Sequence, residues 1–282
     1  MLTLVRGRRA QLARLLAALA AQTAPDFELV IAYMQAEPPT LGPMATRHVK
    51  TVPVPGEPLP LAAARNAAAR AATGDHLIFL DVDCIPAPTL VAAYRAGLAA
   101  YDACLLGTVR YLPETVAPDH GFDDLQRYAL RHPARPVLGP AECRVETDPT
   151  RLWGLSFALP RARFMAAGGF DAGYTGYGGE ETDFALRLAH RGTAFYWLGA
   201  AQAIHQWHPI CRPPLDHFEA IVANARRFHA RWGLWCLEYW LAAFTRLGLI
   251  DWSPEAAALV VRRRPHADEI DAARRAGQHL AF

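Results

Sequence analysis

The hydrophobic pattern changes period several times along the chain, and each change marks an element. Leu2-Thr3-Leu4-Val5 is a short apolar run that predicts a strand, after which Leu12, Leu15, Leu16 and Leu19 recur at helical spacing as far as Gln22. Glu28 to Tyr33 predicts a second strand. A loop punctuated by Pro38, Pro39, Gly42 and Pro43 leads to a strand near His48 to Val54, and Leu61 to Ala72 predicts an alanine-rich helix stopped by Gly74. His76-Leu77-Ile78-Phe79-Leu80 has no turn residue inside it and reads as a buried strand. The order strand, helix, strand, strand, helix, strand, with short connections, predicts an α/β fold: a mostly parallel twisted sheet flanked by helices.

The last of these strands runs directly into Asp81-Val82-Asp83. Open α/β sheets place their ligands at the C-terminal ends of strands, so the two carboxylates are candidates for holding a metal and a phosphorylated ligand. Residues i and i+2 of an extended strand share a side, so both acids are expected to converge on one cation, and Mg²⁺ or Mn²⁺ suits such oxygen ligands. The competing reading is a polar strand end that simply meets water.

Two further motifs carry chemistry. Glycines at 168, 169, 173, 176, 178 and 179 would ruin any regular element, so this stretch is a loop in which the backbone turns sharply or approaches a ligand. It feeds a helix whose first turn holds Glu180, Glu181 and Asp183, where acids favour the positive end of the dipole. Tyr174 and Tyr177 beside three acids suit a sugar, which offers apolar faces and hydroxyls, with one acid as general base. The third motif is Ala203-Ile204-His205-Gln206-Trp207-His208-Pro209, after an apolar strand at Phe195 to Leu198. His205 or His208 could join Asp83 on a cation such as Mn²⁺, and because an extended i, i+3 pair points to opposite faces, one ligand is expected unless the chain turns between them.

Composition narrows the class. A chain of 282 residues with 52% hydrophobic content can bury a substantial core. Its formal charge of +2, from 29 basic and 27 acidic residues, gives no sign of a nucleic-acid surface. Cys84, Cys104, Cys143, Cys211 and Cys236 are scattered without a Cys-x-x-Cys, which argues against disulfides and zinc and for a reducing cytoplasm. The N-terminus lacks a secretory pattern, since Arg6, Arg8, Arg9 and Arg14 interrupt it, and Leu234 to Ile250 falls short of a membrane span with Glu238 and Arg246 inside. Leu112 to Pro118 and Pro133 to Pro140 read as loops over the site.

From Asp216 onward the pattern is helical. Phe218, Ile221, Val222, Ala225 and Phe228 define one helix, Trp232, Trp235, Tyr239, Trp240 and Phe244 a second, and Pro254 is expected to open a third. Residues 1–215 are therefore expected to form the main domain and 216–282 a helical extension packed on it. The aromatic stripe reads as core. The competing reading is an interfacial surface at the inner face of a membrane, with Arg262, Arg263 and Arg264 on anionic headgroups and a lipid-linked acceptor.

Together these motifs resemble the nucleotide-sugar glycosyltransferases of the GT-A fold, specifically glycosyltransferase family 2 with a galactosyltransferase-like later segment, over roughly residues 2 to 210. Leu4-Val5-Arg6-Gly7-Arg8 occupies the first-strand position that reads Pro-Phe-Arg-Asn-Arg in β-1,4-galactosyltransferases. Ala64-Arg65-Asn66-Ala67 is similar to the family 2 segment that lines the nucleotide pocket, and Asp81-Val82-Asp83 to the metal and nucleotide motif. Gly178-Gly179-Glu180-Glu181-Thr182-Asp183 is similar to a Gly-Gly-Glu-Asp-Asp-Asp stretch, with Glu181 for aspartate and Thr182 for an acid. The resemblance implies a donor site of Arg6, Arg8, Arg65, Asp81 and Asp83 and a metal, Mn²⁺ or Mg²⁺, on Asp83 and His208 with His205 beside them. It implies an acceptor site of Trp153, Tyr177, Gly179, Glu180 and Asp183, with Glu181 as catalytic base assisted by Glu180. The implied reaction moves a sugar from a nucleoside-diphosphate sugar to a glycan, lipid-linked or small-molecule acceptor hydroxyl with inversion. A nucleotidyltransferase and a non-catalytic nucleotide-sugar-binding module are the rival readings. Arg6-Gly7-Arg8-Arg9 is a poor phosphate loop for the first, and the retained acids argue against the second.

Overall fold

The computed structural model describes residues 1–37 and 48–277. Its first third contains β1 (Leu2–Val5), α1 (Arg9–Ala20), β2 (Leu29–Tyr33), β3 (Val49–Pro53), α2 (Leu61–Ala71) and β4 (His76–Leu80). The loop expected at Pro38, Pro39, Gly42 and Pro43 lies outside the described residues. The chain continues through β5 (Cys84–Pro86), α3 (Leu90–Ala100), β6 (Ala103–Tyr111), α4 (Phe122–Tyr128), β7 (Leu130–Arg131), β8 (Cys143–Glu146), β9 (Ser156–Pro160), α5 (Arg161–Ala166), α6 (Glu180–His190) and β10 (Ala194–His205).

These strands form one sheet in the order β3-β2-β1-β4-β9-β6-β10-β5, with β7 added to β6 and β8 to β10. Along that path β3, β2, β1 and β4 run parallel, as do β6 and β10, while β9 lies antiparallel between β4 and β6 and β5 antiparallel on β10. Every residue of β2 is buried, because its two faces enter different cores. Leu29, Ile31 and Tyr33 pack with α1 and α3, whereas Val30 and Ala32 pack with α2, Phe79, Phe157 and Phe184, as the two-residue period of a strand requires. On this second face Phe79 stacks on Phe157 of β9 with ring centroids 4.6 Å apart. This is an α/β sheet of GT-A type, flanked by helices on both sides.

After a 3₁₀ turn at Leu215–His217 come α7 (Phe218–Trp232), α8 (Glu238–Arg246), the short pair β11 (Ile250–Asp251) and β12 (Val260–Val261), and α9 (Ala267–Gly277). Leu215, Phe218, Ile221, Leu241, Phe244 and Ala273 share a separate core. Pro254 does not open a helix: it sits in the turn between β11 and β12, and the third helix starts at Ala267. The aromatic stripe is likewise not one helix. Trp232 closes α7, Trp235 is buried in the connection, and Phe244 is buried in α8, leaving Tyr239 exposed. Arg262, Arg263 and Arg264 pair with Asp251, Glu269 and Glu219, so each cation already has a carboxylate. Among the described residues no helix is long and apolar enough to cross a membrane.

Candidate active site

The site is built at the C-terminal end of β4. Strand geometry stops at Leu80, and the chain turns at Val82–Asp83 before β5 begins. β5 pairs with the end of β10 so that Cys84 lies opposite His205, and the Gln206 N–H donates to the Asp83 carbonyl at 2.7 Å. This register places Asp83 against the end of β10. Because the chain leaves strand geometry after His205, His208 swings back to the same spot, and ligand atoms of Asp83, His205 and His208 all lie within 4.8 Å of one another. The chain thus makes the turn that a pair of histidine ligands requires. Asp81 lies outside this group, because the turn at Val82–Asp83 breaks the i, i+2 alignment that would bring both acids to one cation.

The donor atoms fit a divalent cation. Asp83 Oδ1 and His205 Nδ1 are buried without a hydrogen-bond partner, although buried polar atoms are normally satisfied. Burial holds the His205 imidazole down at about 3, with the charges of His208 and Arg8 adding to it, and burial lowers His208 as well. Neutral imidazole is the form that binds metal, and one carboxylate with two imidazoles suits Mn²⁺. Burial, reinforced by the Asp81 charge, pushes the Asp83 carboxyl up to about 7 against the pull of Arg8, whose Nε stands 3.3 Å from Asp83 Oδ2. An uncompensated buried carboxylate of this kind is what a cation would neutralise.

A second cluster lies beside the first. Arg65 on α2 is buried and sends Nη1 to Glu180 at 2.9 Å and Nη2 to Glu181 at 2.7 Å. Its charge also acts on Asp81, whose own carboxyl burial raises, so Asp81 stands between the two clusters. Two of its five N–H donors are thus committed to the acids of α6. Asn66 serves the neighbouring loop. It exchanges hydrogen bonds with the Phe170 backbone at 2.7 and 2.8 Å and so braces the glycine-dense loop. Arg6, expected at the nucleotide, instead pairs with Glu57 on the surface.

Helix α6 is preceded by Gly179 at its N-cap, whose φ of 92° is a conformation that glycine adopts without penalty. The turn that follows sorts the three acids by angle. Glu180 and Asp183, three residues apart, both face inward, while Glu181 is a quarter exposed at the rim. Burial pushes the Glu181 carboxyl up to about 7, opposed by Arg65 and supported by Glu180, which places it where a general base is most effective. Gly154 lies directly against it: a Cβ there would collide with Glu181 Oε1 and Arg65 Nη2.

Asp183 is not at the site. It is fully buried and accepts from Arg187 Nε and Arg231 Nη1, each at 2.8 Å, and from Trp232 Nε1 at 3.1 Å, so it ties α6 to α7 and has no face for an acceptor. Tyr174 is buried against Phe228 and Cys236 and cannot stack on a sugar. Tyr177 is 40% exposed and stacks between His217 and Trp240, with centroids 4.9 and 5.4 Å away. Trp153 carries the Arg135 guanidinium 3.2 Å from its ring centroid. The sequence reading missed Arg135, and it missed Asn224, whose side-chain amide reaches the carbonyls of Thr175, Tyr177 and Gly178 and holds the loop in place. Neither lies in a recognisable motif.

A twisted α/β sheet with an aspartate–histidine cluster at the end of its fourth strand and a glycine-led acidic helix beside it is the layout that the resemblance to GT-A glycosyltransferases implies. Residues 3–121 match glycosyl transferase family 2 and residues 135–214 match the N-terminal domain of galactosyltransferase. It is 30% identical over 152 residues to validoxylamine A glucosyltransferase of Streptomyces hygroscopicus subsp. jinggangensis (strain 5008), covering 47% of this chain and 36% of that protein. It is also 30% identical over 175 residues to chondroitin synthase of Escherichia coli, covering 53% and 25% respectively. The matched regions therefore span about a third or less of these relatives. Among solved structures, GalNAc-T7 with UDP, GalNAc and Mn²⁺ superposes with TM-score 0.55 at 16% identity over 73% of this chain and 42% of that one. S. aureus TarS 1-349 with UDP-GlcNAc gives 0.52 at 14% identity over 81% and 65%. At these identities the likeness is one of fold.

Proposed function

We propose that the protein transfers a sugar from a nucleoside-diphosphate sugar to an acceptor hydroxyl, with inversion and with a divalent cation, Mn²⁺ or Mg²⁺, held by Asp83, His205 and His208. The observation that carries this reading is the pairing of Arg65 with Glu180 and Glu181 immediately beside Asp81 and the Asp83 cluster: a donor set for a cation and a carboxylate with raised pKa share one floor. When bound, the cation supplies Lewis-acid neutralisation of the charge on the departing diphosphate. Arg8 beside Asp83 adds a fixed positive charge on the same side. Glu181 accepts the hydroxyl proton while that oxygen bonds to the anomeric carbon from the face opposite the departing phosphate. Arg65 and the pinned Glu180 hold Glu181 in position, and Trp153 and the exposed part of Tyr177 would border the acceptor. Residues 1–215 would carry this chemistry, and 216–282 would brace the glycine loop through Asn224. Five free cysteines are consistent with a cytoplasmic setting.

The first test is a thermal-shift panel of UDP, GDP, TDP and CDP with Mn²⁺, Mg²⁺ or EDTA, since a ligand that binds only the folded state raises its melting temperature. UDP leads the panel because GalNAc-T7 and TarS were each solved with it. A shift that needs metal and favours one nucleotide supports the proposal, and the absence of any metal-dependent shift overturns it. Glu181→Gln is then expected to lower turnover by about 10²–10⁴-fold while leaving nucleotide binding intact.

A further inference from the structure

A second concavity lies on the β10 side of the sheet. It is a shallow, solvent-open cleft whose lining includes Arg110, Arg131, Arg135, Gln126 and Trp197, and among the described residues no carboxylate lines it. Two of these cations are placed against each other by the fold itself. β7 pairs antiparallel with the end of β6 so that Arg131 sits directly opposite Arg110. Like charges directly opposite across such a pair are destabilising unless something else compensates them. Arg110 donates to the Gln126 carbonyl at 3.4 Å, and Arg135 donates to the Arg151 carbonyl at 2.5 Å while its guanidinium lies over Trp153 and 5.1 Å from the Trp197 ring. Burial lowers both guanidinium pKa values, Arg110 with help from the Arg131 charge and Arg135 to about 9, even though Glu181 and Glu146 act on Arg135 from beyond the cleft. Three cations facing one space, with no acid among its described lining residues although Glu146 accepts from Trp197 Nε1 at its edge, suit a doubly charged oxyanion, because the guanidinium fork matches phosphate geometry.

The cleft also leads towards the proposed base. Arg135 lines both this cleft and the adjoining hollow formed with Arg151, Trp153 and Ser156, and Gly154, next to Trp153, touches Glu181. Resting on the transferase reading above, we infer that the acceptor carries a phosphoryl group, which Arg110, Arg131 and Arg135 bind in this cleft while its hydroxyl is presented to Glu181.

The inference is tested with EDTA present, so that phosphate does not report the cation cluster. Glycerol 3-phosphate is titrated against intrinsic tryptophan fluorescence, which Trp153 and Trp197 beside Arg135 make sensitive to the cleft. Glycerol serves as the uncharged control, and vesicles containing phosphatidic acid as a lipid-borne source of the same group. A saturable response to glycerol 3-phosphate identifies a soluble phosphorylated acceptor, and one confined to the vesicles a lipid-linked one. Either response should weaken at least about tenfold in Arg110→Gln/Arg131→Gln, as expected for the loss of two charge-assisted contacts. Arg131 is exposed, so Arg131→Gln alone supplies the comparison should the double variant misfold. No saturable response to either phosphate source, an equal response to glycerol, or an unchanged response in the variants overturns the inference. Metal-dependent UDP binding, measured on the same samples, reports the transferase reading separately: its loss in the wild type refutes that reading, whereas its retention with no phosphate response refutes only the cleft.

Discussion

Asp183→Asn separates a structural acid from an acceptor ligand. In the native protein its two oxygens accept from Arg187, Arg231 and Trp232 with no solvent exposure. Breaking a buried ion pair by neutralising one member costs about 3–5 kcal/mol. Here both cations keep other partners, Arg187 on the carbonyls of Ala167 and Gly169 and Arg231 on Asp171, which places the substitution at the lower end, about 3 kcal/mol. At about 2–4 °C per kcal/mol for chains approaching this size, the melting temperature should fall by about 6–12 °C. Calorimetry measures that fall, and acceptor KM is measured well below both midpoints. KM should stay within about threefold of the wild type, because nothing that touches the acceptor has changed. A melting temperature lowered by less than about 2 °C together with a KM raised more than about tenfold would refute the reasoning and return Asp183 to the acceptor site.

Asp83→Ala should abolish the metal-dependent nucleotide shift, and a variant that still bound Mn²⁺ and nucleotide normally would remove Asp83 from the metal site. With Glu181 pushed up to about 7, kcat should rise with pH through about 7, because the protonated carboxyl cannot accept a proton, and a flat profile from pH 5.5 to 8.5 would count against Glu181 as base. The same raised value favours the protonated folded state, so its stabilising effect is present below the ordinary carboxyl value of 4.5 and is lost as pH rises through about 7. Melting curves between pH 5 and 8 should therefore slope down less steeply in Glu181→Gln than in the wild type, and identical slopes would contradict the assignment. Gly154→Ala places a methyl against Glu181 and Arg65 and should depress kcat while nucleotide binding survives; wild-type turnover in that variant would show the contact to be slack.

Much of the sheet was legible because its signals are local. The run from His76 to Leu80 is apolar over the length of one strand, and Leu12, Leu15 and Leu19 repeat at helical spacing and are buried as that spacing requires. The insertion of β9 between β4 and β6 was not legible, since strand order depends on pairings between residues far apart, Leu80 with Ser156 among them. The site divides in the same way. Asp83, Glu181 and the histidines stand in motifs, but Arg65 meets its acids across 115 positions of sequence, and no local pattern announces that. Asp183 could have been read better. It lies three residues from Glu180 and shares its inward face, so its burial follows from helix geometry once the direction of the core is known. Pro254 misled because a proline that can open a helix is equally at home in the turn that joins two short strands.

The glycine-dense loop limits how this protein can diversify. A side chain at Gly176 would strike Ala220, one at Gly178 would press on Leu237 and Trp240, and one at Gly179 would press on the Tyr174 ring, while all three positions hold positive φ. The approach to α6 therefore tolerates almost no variation, and a mutational library aimed there would return mostly misfolded chains. Variants with altered acceptor choice are to be sought at exposed positions such as Arg131, Pro133, Ala134 and Val137, whose side chains are not packed into the core.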